Sequence, residues 1–235
     1  MKGFVFDLDN TLFDRYATIT KIIELNFDKI RAHINPSYDA QKCARHLCDI
    51  ERLYIHSYGW VGIFEALCKT HFFNIDNIPD MQRSFAFFVD NFAKTAVAYP
   101  YTRDVLTAIR NKGYKTAMIT NGHEQLQNGK IALIGIADLF DLILPSDTYA
   151  KLAGFEDAKE CQKPNTYMFD YVAKQLGVCA SELYYVGDSP PNDAVASAKA
   201  GYVPVWIRSQ SPWSEENKFI PKLCYDTIEG LYELI

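Results

Sequence analysis

The chemistry of this chain begins at the end of its first apolar run, Phe4-Val5-Phe6-Asp7-Leu8-Asp9-Asn10-Thr11-Leu12, where two carboxylates stand two residues apart. On an extended strand Asp7 and Asp9 share a face, which crowds two like charges together where the chain leaves the core. Carboxylates that close resist ionising together. A divalent cation resolves the conflict, since it holds the groups ionised and leaves an open face for an anionic substrate. A turn after a strand also favours Asp, Asn and Thr, so the pair takes its weight from the rest of the chain.

Two later segments repeat the pattern. Thr120-Asn121-Gly122-His123 follows the apolar Ala117-Met118-Ile119 and offers a hydroxyl, an amide and main-chain donors, groups suited to phosphate oxygens. Asn-Gly is equally a strong turn pair. Val186-Gly187-Asp188-Ser189-Pro190-Pro191-Asn192-Asp193 again carries acids off an apolar run. Asn192 or Asp193 can cap a following helix, an explanation that does not reach Asp188. If their strands are neighbours, Asp7, Asp9 and Asp188 converge, and oxygen ligands in that number suit Mg2+. His123 is a loop histidine, either solvated or near a leaving group.

These residues need a sheet to bring them together. Phe4 to Asp9, Lys115 to Thr120, Leu139 to Leu144, Leu183 to Asp188 and Tyr202 to Ile207 read as strands. Between them, Arg103 to Lys112, Tyr167 to Leu176 and Asp193 to Ala200 read as helices stopped by Gly113, Gly177 and Gly201. Alternation of this kind predicts an α/β fold, a parallel sheet with helices on both faces and ligands at the carboxyl ends of the strands. Residues 15 to 98 break the alternation. Ile19, Ile22, Ile23, Leu25, Phe27 and Ile30 fall at helical spacing, and the aromatic-rich stretches Tyr54 to Phe73 and Met81 to Ala98 continue as helices. The expected organisation is a core of residues 1–14 and 99–235 with an all-helical subdomain, 15–98, inserted in it. Most of its aromatics are expected to pack its own core, while Tyr16, Tyr58 or Trp60 could stack on a base or sugar.

Composition excludes several classes. A 235-residue chain with 49% hydrophobic and 23% charged residues is globular rather than disordered. A net charge of -5 disfavours a nucleic-acid backbone binder. No apolar run approaches the roughly 20 residues of a membrane span, and the start Met-Lys-Gly-Phe leaves no room for a signal peptide. Cys43, Cys48, Cys68, Cys161, Cys179 and Cys224 are scattered, and Cys43, His46 and Cys48 lack the spacing of a zinc site. Reduced thiols in a cytoplasmic protein are expected.

Taken in order, the motifs resemble those of the haloacid dehalogenase (HAD) superfamily over nearly the whole chain. Asp7-Leu8-Asp9-Asn10-Thr11-Leu12 resembles the first motif, Thr120-Asn121-Gly122 the second, Lys163-Pro164 before Phe169 the third, and Gly187-Asp188-Ser189 with Asp193 the fourth. The resemblance implies a Rossmann-like core, and a C1-type cap formed by the helical insert. It also implies that Asp7 is the nucleophile and Asp9 the general acid and base. Asp7, Asp9 through its main-chain carbonyl, and Asp188 would hold Mg2+, with Asp193 behind them. Thr120, Asn121 and Lys163 would bind the phosphate of a small phosphorylated metabolite. Asp9 favours a phosphatase over a dehalogenase, because only the former must protonate an alcohol. Asn10 and the segment Thr120 to Asp147 look most like the nucleotidase and sugar-phosphate phosphatase branch. A phosphomutase resembling β-phosphoglucomutase retains both acids, and a non-catalytic binding module is the remaining alternative. The stretch between Ser146-Asp147 and Lys163 is longer than in relatives, which makes the place of Lys163 the point to check.

Overall fold

Gly3–Phe6 forms β1, the strand on which the rest of the core is hung, and all four of its residues are buried. In the computed structural model, which describes residues 1–208, 213 and 221–235 (the side chains of 55–58 excepted), β1 lies between β2 (Lys115–Thr120) and β4 (Leu183–Gly187). With β3 (Leu142–Pro145), β5 (Val203–Ile207) and β6 (Leu223–Tyr225) they make a parallel sheet of order β3-β2-β1-β4-β5-β6. The order runs outward from β1 in one direction and from β4 in the other, so the switch between them opens a crevice at the carboxyl ends. Phe6 is in register with Met118 on one side and Val186 on the other, so the residues that follow each strand emerge together.

Both faces of the sheet are covered, which is why its strands read as unbroken apolar runs. Val5, Ala117, Ile119 and Tyr185 pack with Met168, Phe169 and Val172 of α7 (Tyr167–Leu176). On the other face Phe4 and Phe6 contact the rings of Tyr114, Tyr184 and Phe140. Chain connections are made by α4 (Thr102–Asn111), α5 (Glu124–Leu133), α6 (Ser146–Ala153) and the short α8 (Ala196–Lys199).

Three elements depart from the sequence expectation. β1 ends at Phe6 rather than Asp9, because the main-chain N–H groups of Leu12 and Phe13 fold back onto the Leu8 carbonyl at 2.9 and 3.0 Å, with Asn10 at φ 58°. The expected strand from Leu139 starts at Leu142, since Ala137–Leu139 is a 3-10 turn and Asp141 exchanges main-chain and side-chain bonds with Thr116. The expected helix from Asp193 is split: Pro190–Val195 is a π-turn in which Asp193 and Ala194 both donate to the Ser189 carbonyl, and α8 follows. Pro190 and Pro191 occupy the first two positions of that turn, where a helix bonds no N–H of its own. α5, α6 and β6 (Leu223–Tyr225) have no counterpart in the sequence expectation.

The chain divides into two compact units, residues 1–14 with 98–235, and 15–97. The second is helical: α1 (Arg15–Ile30), α2 (Ala40–Lys69, broken at Gly59) and α3 (Met81–Thr95). α2 starts well before Tyr54, where Asp39 accepts the Lys42 N–H at 2.7 Å. Trp60 packs on Phe85 and Phe88, and Phe64 on Phe73, inside this unit; Tyr58 lies outside the described side chains. The six cysteines are free, and His46 is held between Tyr38 and Thr70. Among the described residues no helix is long and apolar enough to cross a membrane.

Candidate active site

β1 and β4 finish side by side, with the Asp7 N–H bonded to the Val186 carbonyl at 2.9 Å. Asp7 and Asp188 therefore leave the sheet together, and the π-turn returns Asp193 to the same spot. Gly187 makes room for that return, since a Cβ there would stand 2.4 Å from Asp193 Cγ. The carboxylates of Asp7, Asp188 and Asp193 are buried, with an oxygen of each within 4.8 Å of the others.

Lys163 reaches the centre of this group despite the long stretch before it. α6 and the 3-10 turn Ala158–Glu160 take up the extra residues. Asn121 then fixes the lysine: its Oδ1 accepts the Lys163 N–H and its Nδ2 donates to the Lys163 carbonyl, both at 2.9 Å. From there the three protons of Lys163 Nζ are shared among Asp7 Oδ1 at 2.6 Å, Asp193 Oδ1 at 2.7 Å, Tyr185 Oη at 2.9 Å and the Ile119 carbonyl at 3.2 Å. The side chain of Asn121 is thus spent on positioning Lys163 rather than turned toward a ligand.

The electrostatics follow from burial. Desolvation raises the Asp7 carboxyl to about 7, against the opposing pull of Lys163. Desolvation, then the charges of Asp193 and Asp7, push Asp188 well above the usual carboxylate range. Burial opposes charge on Lys163, yet Asp193 and Asp7 hold its ammonium well above its ordinary value. Tyr185, buried beside them, stays a neutral donor.

Asp9 sits elsewhere. With β1 ended at Phe6, the same-face geometry of a strand does not apply, and the Asp9 carboxylate turns to α5 instead of joining the other three. Lys130 Nζ donates to its two oxygens at 2.8 and 3.1 Å, and Gln127 Nε2 to Oδ2 at 3.1 Å. Gln127 also donates to Thr120 Oγ1 at 2.6 Å, so the Thr120 hydroxyl accepts there and keeps its own proton to give. His123 is largely exposed, 3.5 Å from Asp147. Sequence reasoning missed Gln127, Lys130 and Tyr185. The signal for the first two was their one-turn spacing on the segment directly after Thr120-Asn121-Gly122; Tyr185 read only as an apolar strand residue.

The donor set fits a hard divalent cation. Three buried carboxylates crowd one point, two of them, Asp7 and Asp188, with proton affinity raised by burial and by their neighbours' charge; such a group needs protons or a cation, and oxygen donors select Mg2+ over softer metals.

The family model for haloacid dehalogenase-like hydrolases matches residues 1–201. The chain belongs to this family. Among curated proteins, this HAD-like hydrolase is similar to a phosphoglycolate phosphatase of Chromobacterium violaceum, 26% identical over all of this chain and 96% of that one. It is likewise similar to a glyceraldehyde 3-phosphate phosphatase of Methanocaldococcus jannaschii, 26% identical over 88% of this chain and 85% of that one. Among solved structures, a HAD-hydrolase of Bacillus subtilis bound to magnesium superposes with a TM-score of 0.78 at 19% identity, covering 99% of this chain and 97% of that one. That likeness shows the fold; the family and its phosphatase relatives make this HAD-like hydrolase a phosphatase.

Proposed function

We propose that the protein is a Mg2+-dependent, cytoplasmic phosphomonoester hydrolase that works on a small phosphorylated metabolite through an aspartyl-phosphate. The observation that carries this reading is Lys163 Nζ bridging Asp7 and Asp193 at 2.6 and 2.7 Å beside Asp188. The ammonium orients the Asp7 carboxylate while the surrounding carboxylates prepare a cation site. Asp7, Asp188 and the main-chain carbonyl of Asp9 would hold Mg2+, with Asp193 close by. Bound there, the ion supplies charge neutralisation for the transferred phosphoryl group and for its neighbours.

The chain's own residues perform the steps. The Asp7 carboxylate attacks phosphorus in line, and a bond from its oxygen to phosphorus forms as the bond to the leaving oxygen breaks. Asp9 gives its proton to that leaving oxygen. The same carboxylate then takes a proton from water as the water oxygen attacks phosphorus, and the Asp7–phosphorus link breaks to release inorganic phosphate. Thr120 donates its hydroxyl proton to a phosphate oxygen, and Lys163 balances charge. Residues 15–97 would be the cap that selects the substrate; the names of the two relatives favour a phosphorylated acid or a sugar phosphate.

The test is hydrolysis of p-nitrophenyl phosphate with Mg2+, with EDTA, and by Asp7→Asn. Phosphate release is expected with Mg2+ alone, and turnover surviving in Asp7→Asn would refute the nucleophile. A sugar monophosphate then distinguishes hydrolysis, which releases inorganic phosphate, from a mutase, which yields an isomer.

A further inference from the structure

We infer that Lys130 and Gln127 are positioning residues that hold the Asp9 carboxylate in its proton-transfer orientation, and that Gln127 ties it to the phosphate-binding hydroxyl of Thr120. The inference rests on the proposed hydrolase reading. Both residues lie one turn apart on α5 and are almost fully buried, at 2% and 1% exposure. Burying an ammonium on a helix that could point it to solvent is costly, and the cost is recovered only against a specific partner. Here that partner is Asp9, gripped at both oxygens by Lys130. The ring of Phe13 lies 4.9 Å from the ammonium and completes its enclosure.

The Asp9 side chain keeps 24% of its surface exposed while Lys130 keeps 2%. Asp9 is therefore held from the protein interior and open toward solvent, from where a leaving oxygen must approach. Rotation of a carboxylate about its last torsion is otherwise broad, and proton transfer needs a reach of roughly 2.6–3.2 Å. Gln127 narrows this further. The two protons of its amide nitrogen are shared among Asp9 Oδ2, Thr120 Oγ1 and the Asn121 carbonyl, at 3.1, 2.6 and 3.1 Å. The proton donor and one phosphate ligand thus share a single buried anchor, which sets the distance between the phosphate oxygens and the leaving oxygen.

A leaving group that departs readily as an anion gains little from a proton, whereas a poor one depends on it. Loss of the Asp9 clamp should therefore fall mainly on poor leaving groups. Wild type, Lys130→Met, Lys130→Arg and Gln127→Met are compared on phenyl phosphate and p-nitrophenyl phosphate, by kcat/KM, which reports on transfer to Asp7. The expected result is that the preference for p-nitrophenyl phosphate over phenyl phosphate rises roughly tenfold in Lys130→Met and Gln127→Met, a part of the ordinary general-acid contribution, and is partly restored in Lys130→Arg. An unchanged preference, with both substrates slowed alike, overturns the inference and makes Lys130 and Gln127 structural. If Lys130→Met does not fold, Gln127→Met and Lys130→Arg decide by the same ratio. Failure of the wild type to hydrolyse either ester would instead overturn the hydrolase reading, and full activity in Asp7→Asn its nucleophile.

Discussion

Replacing Gly187 with alanine tests the geometry of the site through one methyl group. The new Cβ would meet Asp193 Cγ at 2.4 Å, Oδ2 at 2.5 Å and Cβ at 2.6 Å. Ordinary carbon contacts lie near 3.5–4.0 Å, so Asp193 must retreat by about 1 Å. It has no slack for that, because Oδ1 accepts from Lys163 at 2.7 Å and Tyr185 at 3.2 Å while Oδ2 accepts the Ser189 N–H at 2.9 Å. A retreat of that size stretches these bonds past the range in which they count, and Lys163 loses one of the two carboxylates that hold it. Overpacking costs about 1–3 kcal/mol and a lost buried charge-assisted bond roughly 1.5–3 kcal/mol. Together these lower Tm by roughly 10 °C for a chain of this size, and kcat falls on the order of 100-fold if Asp7 is mis-set by ~1 Å. Thermal melts and p-nitrophenyl phosphate kinetics measure both. Gly3→Ala is the control: its Cβ meets the Lys115 carbonyl at 2.6 Å at the opposite end of β1, so it should lower Tm while sparing the kcat of folded molecules. Wild-type Tm and kcat in Gly187→Ala, or an equal loss of kcat in both variants, would refute the reasoning.

Lys163→Met leaves the buried carboxylates of Asp7 and Asp193 without their shared ammonium; the expected loss is about 3–5 kcal/mol of stability, read by urea unfolding, and phosphatase activity at background. The Asp7 carboxyl, raised from 3.8 to about 7 in the folded metal-free protein, binds more protons folded than unfolded between those values. Its contribution to stability is therefore present below about pH 4 and lost as pH rises through 7, by roughly 1.4 kcal/mol per pH unit. Urea melts in EDTA at pH 5 to 8 should show wild type losing stability relative to Asp7→Asn, and a rising difference would refute the assignment. Added Mg2+ should stabilise the protein more at pH 8 than at pH 5, because the metal need not displace a proton there. Thr102 donates to the Leu12 carbonyl at 3.0 Å, anchoring the turn that carries Asp9; Thr102→Val should cost about 1–3 kcal/mol by leaving a buried acceptor unpaired, seen as a lower Tm.

Local patterns specified much of this fold. Lys115–Thr120 and Tyr167–Leu176 match their expected bounds because apolar spacing and a terminal glycine settle them within a few residues. Asp7, Thr120 and Asp188 were legible as strand-end polar groups, and adjacency of β1 and β4 brings Asp7 and Asp188 together as anticipated. Asp9 was the instructive miss in geometry. Its alternation with Leu8 imitates a strand, but the return of Leu12 and Phe13 to the Leu8 carbonyl sends its carboxylate to α5. Asp193 could by position have been a helix cap, while the resemblance put it behind the metal ligands; in the structure it is a partner of Lys163, in the space Gly187 leaves open. Asn121 looked like a ligand group and is a clip on the Lys163 main chain.

The sequence by itself determined which donors exist and in what order, because strand ends, glycine stops and acid spacing are properties of neighbouring residues. Only the tertiary structure decided which carboxylate meets which cation: Lys163 finds Asp7 across 156 residues and Lys130 finds Asp9 across 121. Pairings over such separations are set by sheet order and by the desolvation of buried charge, and no local pattern records either.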